Sequence, residues 1–194
     1  MNLDAILAKR IRALRKSRGY ALDTLAELSG VSRSMISLIE RAETSATAAV
    51  LNKLADALGV SLASLFSDDS EQQAASPLVR YQQQPVWQDP ASGYLRRQLS
   101  PPGVGSAIEL AEVIFLPGQS VTFDNAMRSI VTHQQIWMLS GEMQITQEGQ
   151  SWHLQPGDCL AMTLGQQIVF HNPTASSARY LVALAATPPL TGRT

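Results

Sequence analysis

The sequence predicts an α+β chain of two domains, an all-α domain of five helices followed by an all-β barrel. Residues 1–66 repeat apolar side chains at the three- and four-residue spacing of amphipathic helices. Residues 67–76 are polar, acidic and free of large apolar side chains, which is typical of a linker. From about residue 94, short β-branched and apolar runs alternate with Pro-Gly, Ser-Gly and Asn-Pro turn signals. We therefore place the helical domain at 1–67, a linker and transition segment at 68–93, and the barrel at 94–187.

Apolar spacing and punctuating glycines define the helices. The predicted helices are residues 3–18, two within residues 22–41, residues 47–58, and a short fifth helix ending near Phe66. Gly19 and Gly59 end the first and fourth helices, and Ser61 is placed to cap the fifth.

Residues 22–41, LDTLAELSGVSRSMISLIER, have the spacing of two helices joined by a tight turn. Ala26 is small where the two helices must cross. Gly30 suits a turn that needs a positive φ, and Ser32 is a favourable N-cap for the second helix. The apolar positions of a three-helix core are Val31, Ile36 and Ile39. The segment therefore has the pattern of a helix-turn-helix.

The wider pattern, RIRALRKSRGYALDTLAELSGVSRSMISLIERAE followed by VLNKLADALGVSLASLF, resembles the Cro/CI-type DNA-binding domain of the XRE family over residues 8–66. The resemblance implies that the second helix of the pair enters the major groove of double-stranded DNA. The residues predicted to face DNA are Ser32, Arg33, Ser34, Ser37 and Arg41, with Leu22 and Asp23 at the start of the preceding helix. Arg33 is the candidate for a bidentate contact to guanine or, failing that, to phosphate. Arg10 is expected to pair with Glu40.

Two positions depart from the family pattern. Ala21-Leu22 opens the second helix without the hydroxyl cap and the glutamine that the family often has there. Ala42 stands where the family has glycine, which is costly if φ is positive. We therefore expect a different turn after the recognition helix.

The second half of the chain carries β-strand patterns. The β-branched, aromatic and apolar runs that indicate short strands, bounded by turn signals, are residues 109–116, 135–146, 150–162, 166–173 and 178–185. LPGQS followed by IWMLSGEMQI, and LQPGDCLAM followed by IVFHNP, resemble the two half-motifs of a cupin, a small jelly-roll barrel, over residues 109–183.

The metal-ligand positions of the cupin pattern hold other residue types. Counting along the motifs places Arg128, Ile130, Gln134 and Ile168 there, and none is a good ligand for a divalent metal. We therefore expect no metal, no cofactor and no catalytic residues. The remaining alternative is a relocated site formed by His133, His153, His171 and Cys159.

Strand alternation predicts an inward face that forms an effector pocket. Its residues are Phe123, Arg128, Gln134, Ile136, Met138, Met162, Ile168 and Phe170, with Trp137 joining them if the register allows. An apolar cavity with one arginine and one glutamine suits a small ligand that carries an anionic or amide group, with Arg128 as the candidate carboxylate anchor. The alternative is that these side chains only fill the barrel.

Charge is divided unevenly along the chain. Residues 1–67 carry nine basic and six acidic residues, a net charge of +3, and the remainder carries −4. This asymmetry favours nucleic-acid contact by the first domain alone. No signal peptide or membrane span is expected, and the lone Cys159 fits a reducing cytoplasm.

These observations predict a cytoplasmic, nucleoid-associated transcriptional regulator that binds a pseudo-palindromic operator as a homodimer. The two copies are expected to associate through residues 77–194. Its DNA affinity would be modulated by a small molecule in a metal-free barrel. Two alternatives stay open. The barrel could be only a dimerisation or antitoxin-like protein-interaction module, or the chain could be a cupin enzyme fused to a DNA-binding domain.

Overall fold

The structure is a computed structural model that describes residues 3–66, 76–104, 106–125 and 131–187. Its α-helices are α1 (Leu3–Ser17), α2 (Leu22–Ser29), α3 (Arg33–Glu40) and α4 (Ala48–Ala57), with 3-10 turns at Ala63–Phe66 and Tyr81–Gln83. The fifth predicted helix is thus a single 3-10 turn and not an α-helix, although the all-α class is confirmed. Of the predicted linker, only Ser76 lies within the described residues. None of the described helices has the length and apolarity needed to cross a bilayer.

The helix boundaries follow from the residues that end and cap them. Gly19, Gly30 and Gly59 adopt left-handed backbone with φ of 68°, 64° and 61°, as glycine at a helix end readily does. The Oγ of Ser32 accepts a hydrogen bond from the Met35 N–H at 3.3 Å, so the predicted cap of α3 is present. The predicted core positions Val31, Ile36 and Ile39 are all buried.

A side-chain ion pair ties α1 to α3. Arg15 donates through Nε and Nη2 to the two carboxylate oxygens of Glu40 at 2.6 and 2.7 Å, and through Nη1 to the Tyr20 carbonyl at 2.9 Å. The Glu40 carboxylate raises the pKa of Arg15. The expected pairing of Arg10 with Glu40 is wrong. Arg10 lies more than one helical turn before Arg15 and donates instead to the Ser64 carbonyl at 3.1 Å.

The turn after α3 keeps a left-handed residue. Ala42 has φ of 55°, its N–H donates to the Ile39 carbonyl at 2.9 Å, and the Glu43 N–H donates to the Leu38 carbonyl at 3.0 Å. These two bonds satisfy carbonyls that the end of a helix leaves unpaired. The expectation of a different turn is therefore wrong. The backbone keeps the left-handed conformation that suits the family's glycine, and here it is an alanine that adopts it.

Ten strands form the described part of the second domain. They are β1 (Val86–Gln88), β2 (Leu95–Gln98), β3 (Ile108–Phe115), β4 (Ser120–Phe123), β5 (Val131–Ser140), β6 (Met143–Gln147), β7 (Gln150–Leu154), β8 (Cys159–Leu164), β9 (Ile168–His171) and β10 (Ala178–Thr187). One sheet has the order β1-β2-β3-β10-β5-β8 and the other β4-β9-β6-β7. All the pairings are antiparallel. The two sheets enclose a common core, which is the barrel architecture that the cupin resemblance implies. The first strand begins at Val86, inside the segment assigned to the transition.

Alternation along β5 decides which side chains face the barrel interior. Thr132, Gln134, Ile136 and Met138 are buried, and the residues between them are exposed. Trp137 is half exposed and points outward, so the register keeps it out of the pocket.

Helix α4 packs against one end of the barrel through buried polar contacts. The Ala48 N–H, at the start of α4, donates to Oδ1 of the buried Asp89 at 2.8 Å. A carboxylate at this position also complements the positive end of the helix dipole. One turn later, Nδ2 of Asn52 donates to the Asp124 carbonyl at 3.1 Å and to Oδ1 of Asn125 at 3.2 Å. The helical domain and the barrel are therefore joined by hydrogen bonds that are shielded from water.

Aromatic rings continue this junction into the barrel. Phe66 of the helical domain lies 5.8 Å from Trp87, measured between ring centroids, and Trp87 lies 5.7 Å from Tyr94. Tyr94 in turn stacks on Phe115 at 5.5 Å. Such ring pairs stabilise beyond their buried area. Together with α4, these four rings join the two domains into one continuous core.

The strain at Ala42 is testable by Ala42→Gly. Glycine adopts a left-handed φ without the cost that a Cβ imposes, although it loses more entropy on folding. We expect the free energy of unfolding to rise by about 0.5–1 kcal/mol, measured by urea denaturation. The matched control is Ala13→Gly on the exposed face of α1, which should lower it by about 1 kcal/mol. Equal destabilisation by both changes would show that Ala42 is not strained.

Candidate DNA-binding surface and barrel cavity

The exposed side of α3 forms a shallow groove with the start of α2. The groove is lined by Leu22, Arg33, Ser34, Ser37, Leu38 and Arg41. Five of these residues, all except Leu38, were predicted to face DNA. The structure therefore brings them together on one surface, and their contact with bases stays a prediction.

Arg33 lies at the N-terminal end of α3, the end that approaches base edges in helix-turn-helix domains. Its Nε lies 3.1 Å from Oδ1 of Asp23, and the two side chains remain 66% and 72% exposed. An ion pair this exposed contributes little free energy, so Arg33 can readily exchange Asp23 for another partner. Beside it, the hydroxyls of Ser32 and Ser34 are 3.2 Å apart. Asp23 thus holds Arg33 over the groove without burying it.

Arg41, at the far end of α3, is held more firmly. Its Nε and Nη2 donate to the two carboxylate oxygens of Glu43 at 2.7 and 2.8 Å, and Nη1 donates to the Ser37 hydroxyl. This fork lowers the pKa of Glu43 and raises that of Arg41. Glu43 therefore neutralises a cation at the edge of the groove, and if Arg41 contacts DNA as predicted, Glu43 would compete with a phosphate for the same N–H groups.

A second groove lies along α1, and Arg41 lines both grooves. Its lining includes Lys9, Arg12 and Lys16, one helical turn apart from each other. Exposed cations at this spacing can follow a phosphate backbone. The positive charge predicted for the first domain is thus concentrated beside the recognition helix.

The barrel encloses a cavity of about 60 Å³ at the end covered by α4. Its apolar wall includes the rings of Tyr94, Phe115, Phe123, Phe170 and Tyr180. Its polar lining consists of Asn52, Ser61, Arg96, Asn125, Thr132 and Gln134. Asn52, Ser61 and Leu62 belong to the helical domain, so both domains contribute to the wall of one cavity. Burial raises the pKa of both tyrosines, which keeps the two phenols neutral.

Arg96 is the one cation among the described residues of this lining. It lies on β2 and is 7% exposed. Its Nε and Nη2 are buried and have no hydrogen-bond partner in the described part of the chain. Desolvation lowers the pKa of Arg96, against the opposing effect of Tyr94 and Glu109. Among the described residues, this guanidinium group therefore forms no ion pair, and the Glu109 carboxylate acts on it only at longer range.

The three histidines lie apart from each other. Nε2 of His153 is 2.8 Å from a carboxylate oxygen of Glu142, Nδ1 of His133 is 3.4 Å from the Thr163 hydroxyl, and Nδ1 of His171 is 3.2 Å from the Gln119 carbonyl. Within the described residues, no three His, Cys, Asp or Glu side chains are grouped so that they could hold a metal ion.

Comparison with known proteins agrees with this architecture. The helix-turn-helix family model HTH_3 matches residues 11–65. SinR of Bacillus licheniformis, named as an HTH-type transcriptional regulator, is 33% identical over 94 residues, which are 48% of this chain and 85% of SinR. The chain belongs to the helix-turn-helix family of transcriptional regulators, of the XRE type. It is therefore a DNA-binding protein.

Two further similarities extend along nearly the whole chain. The HTH-type transcriptional regulator PuuR of Escherichia coli K12 is 27% identical over 177 residues, covering 90% of this chain and 92% of PuuR. The crystal structure of an HTH_3 family transcriptional regulator from Vibrio cholerae has a TM-score of 0.77 at 26% identity, covering 96% of this chain and 98% of that one. The combination of helical domain and barrel is thus shared with another regulator.

Four of the predicted pocket residues line the cavity of this regulator: Phe123, Gln134, Ile168 and Phe170. Ile136, Met138 and Met162 are buried in the barrel but are not part of the described lining, so they fill the core. Arg128, the predicted carboxylate anchor, lies outside the described residues, as does Ile130.

Sequence reasoning missed Arg96 and Asn52. Arg96 lies in the run LRRQ, where two adjacent arginines leave open which of them points inward until the register with β3 is known. Asn52 lies on α4 among apolar residues, and a polar residue at a buried helical position was the available signal.

The effect of the Glu43–Arg41 ion pair on DNA binding is testable by Glu43→Gln. Removing this carboxylate frees the Arg41 N–H groups and removes a negative charge near the phosphate backbone. We expect affinity for DNA to rise by up to about fivefold, because an exposed ion pair contributes little free energy. Fluorescence anisotropy with a duplex selected by the wild-type protein measures this change.

The matched control is Glu148→Gln on the exposed β6–β7 turn of the barrel, which makes the same charge change away from the helices. Unchanged affinity in Glu43→Gln, or an equal gain in both variants, would contradict the competition.

Proposed function

We propose that this regulator binds its operator as a homodimer and that a small molecule in the barrel cavity changes its affinity for DNA. The observation that carries the proposal is the joint wall of the cavity, to which α4 contributes Asn52 and the following segment contributes Ser61 and Leu62. The protein would act on the nucleoid in the cytoplasm, where its DNA lies.

A cavity occupant would contact the helical domain and the barrel at the same time. A ligand shifts a conformational equilibrium only by its differential affinity for the two states. Here any movement of α4 changes the cavity wall itself, so two arrangements of the domains would differ in ligand affinity. Typical coupling free energies of 1–3 kcal/mol correspond to changes of about 5- to 150-fold in DNA affinity.

The outer face of the six-stranded sheet supports the dimer. The register places Glu112, Leu181, Trp137 and Cys159 in one row across β3, β10, β5 and β8, and Leu110, Ala183, Gln135 and Ala161 in the next. Ile108 and Leu110 on β3 and Val131 and Trp137 on β5 are 40–54% exposed. Exposed large apolar side chains gathered on one sheet face support an interaction surface there.

A second copy of this chain is the occupant we propose for that face. One helix-turn-helix head reads only one half-site, and the pseudo-palindromic operators of such domains require two heads related by a two-fold axis. An isologous contact between two copies of the same sheet face provides this symmetry. The predicted DNA-facing residues of α2 and α3 are not part of this sheet face, so the proposed dimer leaves them free to contact DNA.

The dimer is testable by Trp137→Glu. Two carboxylates buried without partners would oppose association, so we expect the variant to be monomeric by light scattering and to bind operator DNA at least tenfold more weakly. The matched control is Leu78→Glu, which places the same charge at an exposed apolar position before β1. A wild-type monomer, or a dimer that persists in Trp137→Glu, would contradict this interface and leave the face to a protein of another kind.

Coupling between cavity and operator is testable in the full chain. A panel of metabolites is screened by thermal unfolding, where a ligand at 100 times its Kd adds about 2.7 kcal/mol of stability. We expect a binding metabolite to change operator affinity at least fivefold. Asn52→Ala removes the hydrogen bonds of this side chain to Asp124 and Asn125, so in this variant, saturated with the metabolite, the change in operator affinity should shrink.

Gln150→Ala, at an exposed position of β7, is the matched control and should behave like the wild type. A metabolite that binds in the cavity but leaves operator affinity unchanged would contradict the coupling.

A further inference from the structure

Helix α1 carries a stripe of positive charge, formed by Lys9, Arg12 and Lys16 and called here the α1 stripe. The three residues lie three and four positions apart, so they share one face of the helix. All three are exposed. Seven residues of α-helix rise about 10 Å, so the stripe is long enough to face about two or three consecutive phosphates of one DNA strand.

The α1 stripe adjoins the surface predicted to face DNA. Its three residues line one groove together with Glu40, Arg41 and Ala42, at the end of α3. Arg41 also lines the groove that α3 forms with the start of α2. The basic surface of α1 therefore continues the predicted DNA-facing groove past the C-terminal end of α3.

The charge of the α1 stripe is not cancelled by its surroundings. Within the described part of the chain, the side chains of Arg12 and Lys16 form no ion pair and no hydrogen bond. Glu40 is the one acid among the described residues of this groove. Both of its carboxylate oxygens accept from Arg15, at 2.6 and 2.7 Å. The groove therefore presents a net positive charge, which attracts a polyanion.

We propose that the α1 stripe binds the phosphate backbone of double-stranded DNA, on the strand that runs past the C-terminal end of α3. Each cation neutralises one phosphate and releases the counterions condensed there. Contacts to phosphate carry no sequence information, so the stripe strengthens binding to the operator and to unrelated DNA alike. This contact requires only that the protein binds DNA, and it depends neither on the homodimer nor on a cavity ligand.

Duplex DNA fits this surface better than an acidic protein does. The cations lie in a single row at regular spacing, which matches the regular spacing of phosphates along a strand. The row also begins beside Arg41, which already belongs to the groove predicted to face DNA. One rigid duplex can therefore contact the recognition helix and the α1 stripe together.

The test compares the affinity of the full chain for two duplexes of equal length, one selected by the wild-type protein and one of unrelated sequence. Fluorescence anisotropy measures binding from about 0.05 to 0.3 M sodium chloride, where phosphate contacts make affinity fall with salt. The variants are Arg12→Gln, Lys16→Gln and the double variant, since glutamine removes the charge and is a good helix former.

For each single variant, the slope of log K against log salt should fall in magnitude by about 0.9 on both duplexes, and by about twice that in the double variant. At 0.1 M salt, one lost contact corresponds to a loss of affinity of up to about eightfold. The ratio of the affinities for the two duplexes should stay unchanged, because a phosphate contact is blind to sequence.

The matched control is Arg18→Gln, which makes the same charge change in the same domain. The guanidinium of Arg18 lies beside Gly59, after α4, and Arg18 is not part of the described lining of the groove. Its slope should match that of the wild type. Arg12→Lys keeps the charge and should also retain the slope, which separates phosphate contact from a structural role of the arginine. Unchanged unfolding temperatures show that lost binding is not lost folding.

Three outcomes would overturn the proposal. An unchanged slope in the double variant would leave the α1 stripe without a role in DNA binding. An equal fall in Arg18→Gln would assign the effect to the net charge of the domain and not to the stripe. A loss confined to the selected duplex would assign Arg12 and Lys16 to base contacts.

Discussion

The position of α4 is the constraint on which the rest of the structure depends. The helix has to complete the core of the helical domain with Leu51 and Leu54, and it also covers the open end of the barrel through Asn52. Its first N–H is satisfied by Asp89 of the barrel and not by a neighbour within its own domain. Because the contacts of α4 are shared in this way, neither domain can move without exposing buried polar groups of the other. Under the proposed function, that coupling would make the junction, and not only the barrel, contribute to regulation.

The helical domain was the more predictable half of the fold, for a physical reason. Its boundaries depend on local chemistry such as the left-handed Gly30 and the Ser32 cap, both of which are visible in a few residues of sequence. The barrel depends on pairings between distant strands. Its longest strands were predicted because their apolar patterns are strong, whereas β1, β2 and β4, three or four residues each, carry too few residues for alternation to be detected.

The candidate sites divide in the same way. Five of the seven predicted DNA-facing residues line one groove because helical geometry fixes which positions share a face. Which side chains pair with each other was harder to predict. Glu40 was expected to pair with Arg10, but its partner is Arg15 on the same helix. The cavity residue Arg96 lies before the cupin half-motifs, and only the pairing of β2 with β3 turns it inward. A polar residue at a buried position is therefore identified by tertiary register and not by local pattern.

The register of β10 has a consequence for how such regulators can diversify. Its alternate residues Tyr180, Val182 and Leu184 line the cavity, while Leu181 and Ala183 lie on the outer face of the sheet. Substitutions at the two sets are independent of each other, because they lie on opposite sides of one backbone. A single-residue insertion in this strand would exchange the two sets along its whole length. Descendants of this chain can therefore change the chemistry of the cavity by point substitution while the outer face is inherited intact, but the length of β10 is fixed.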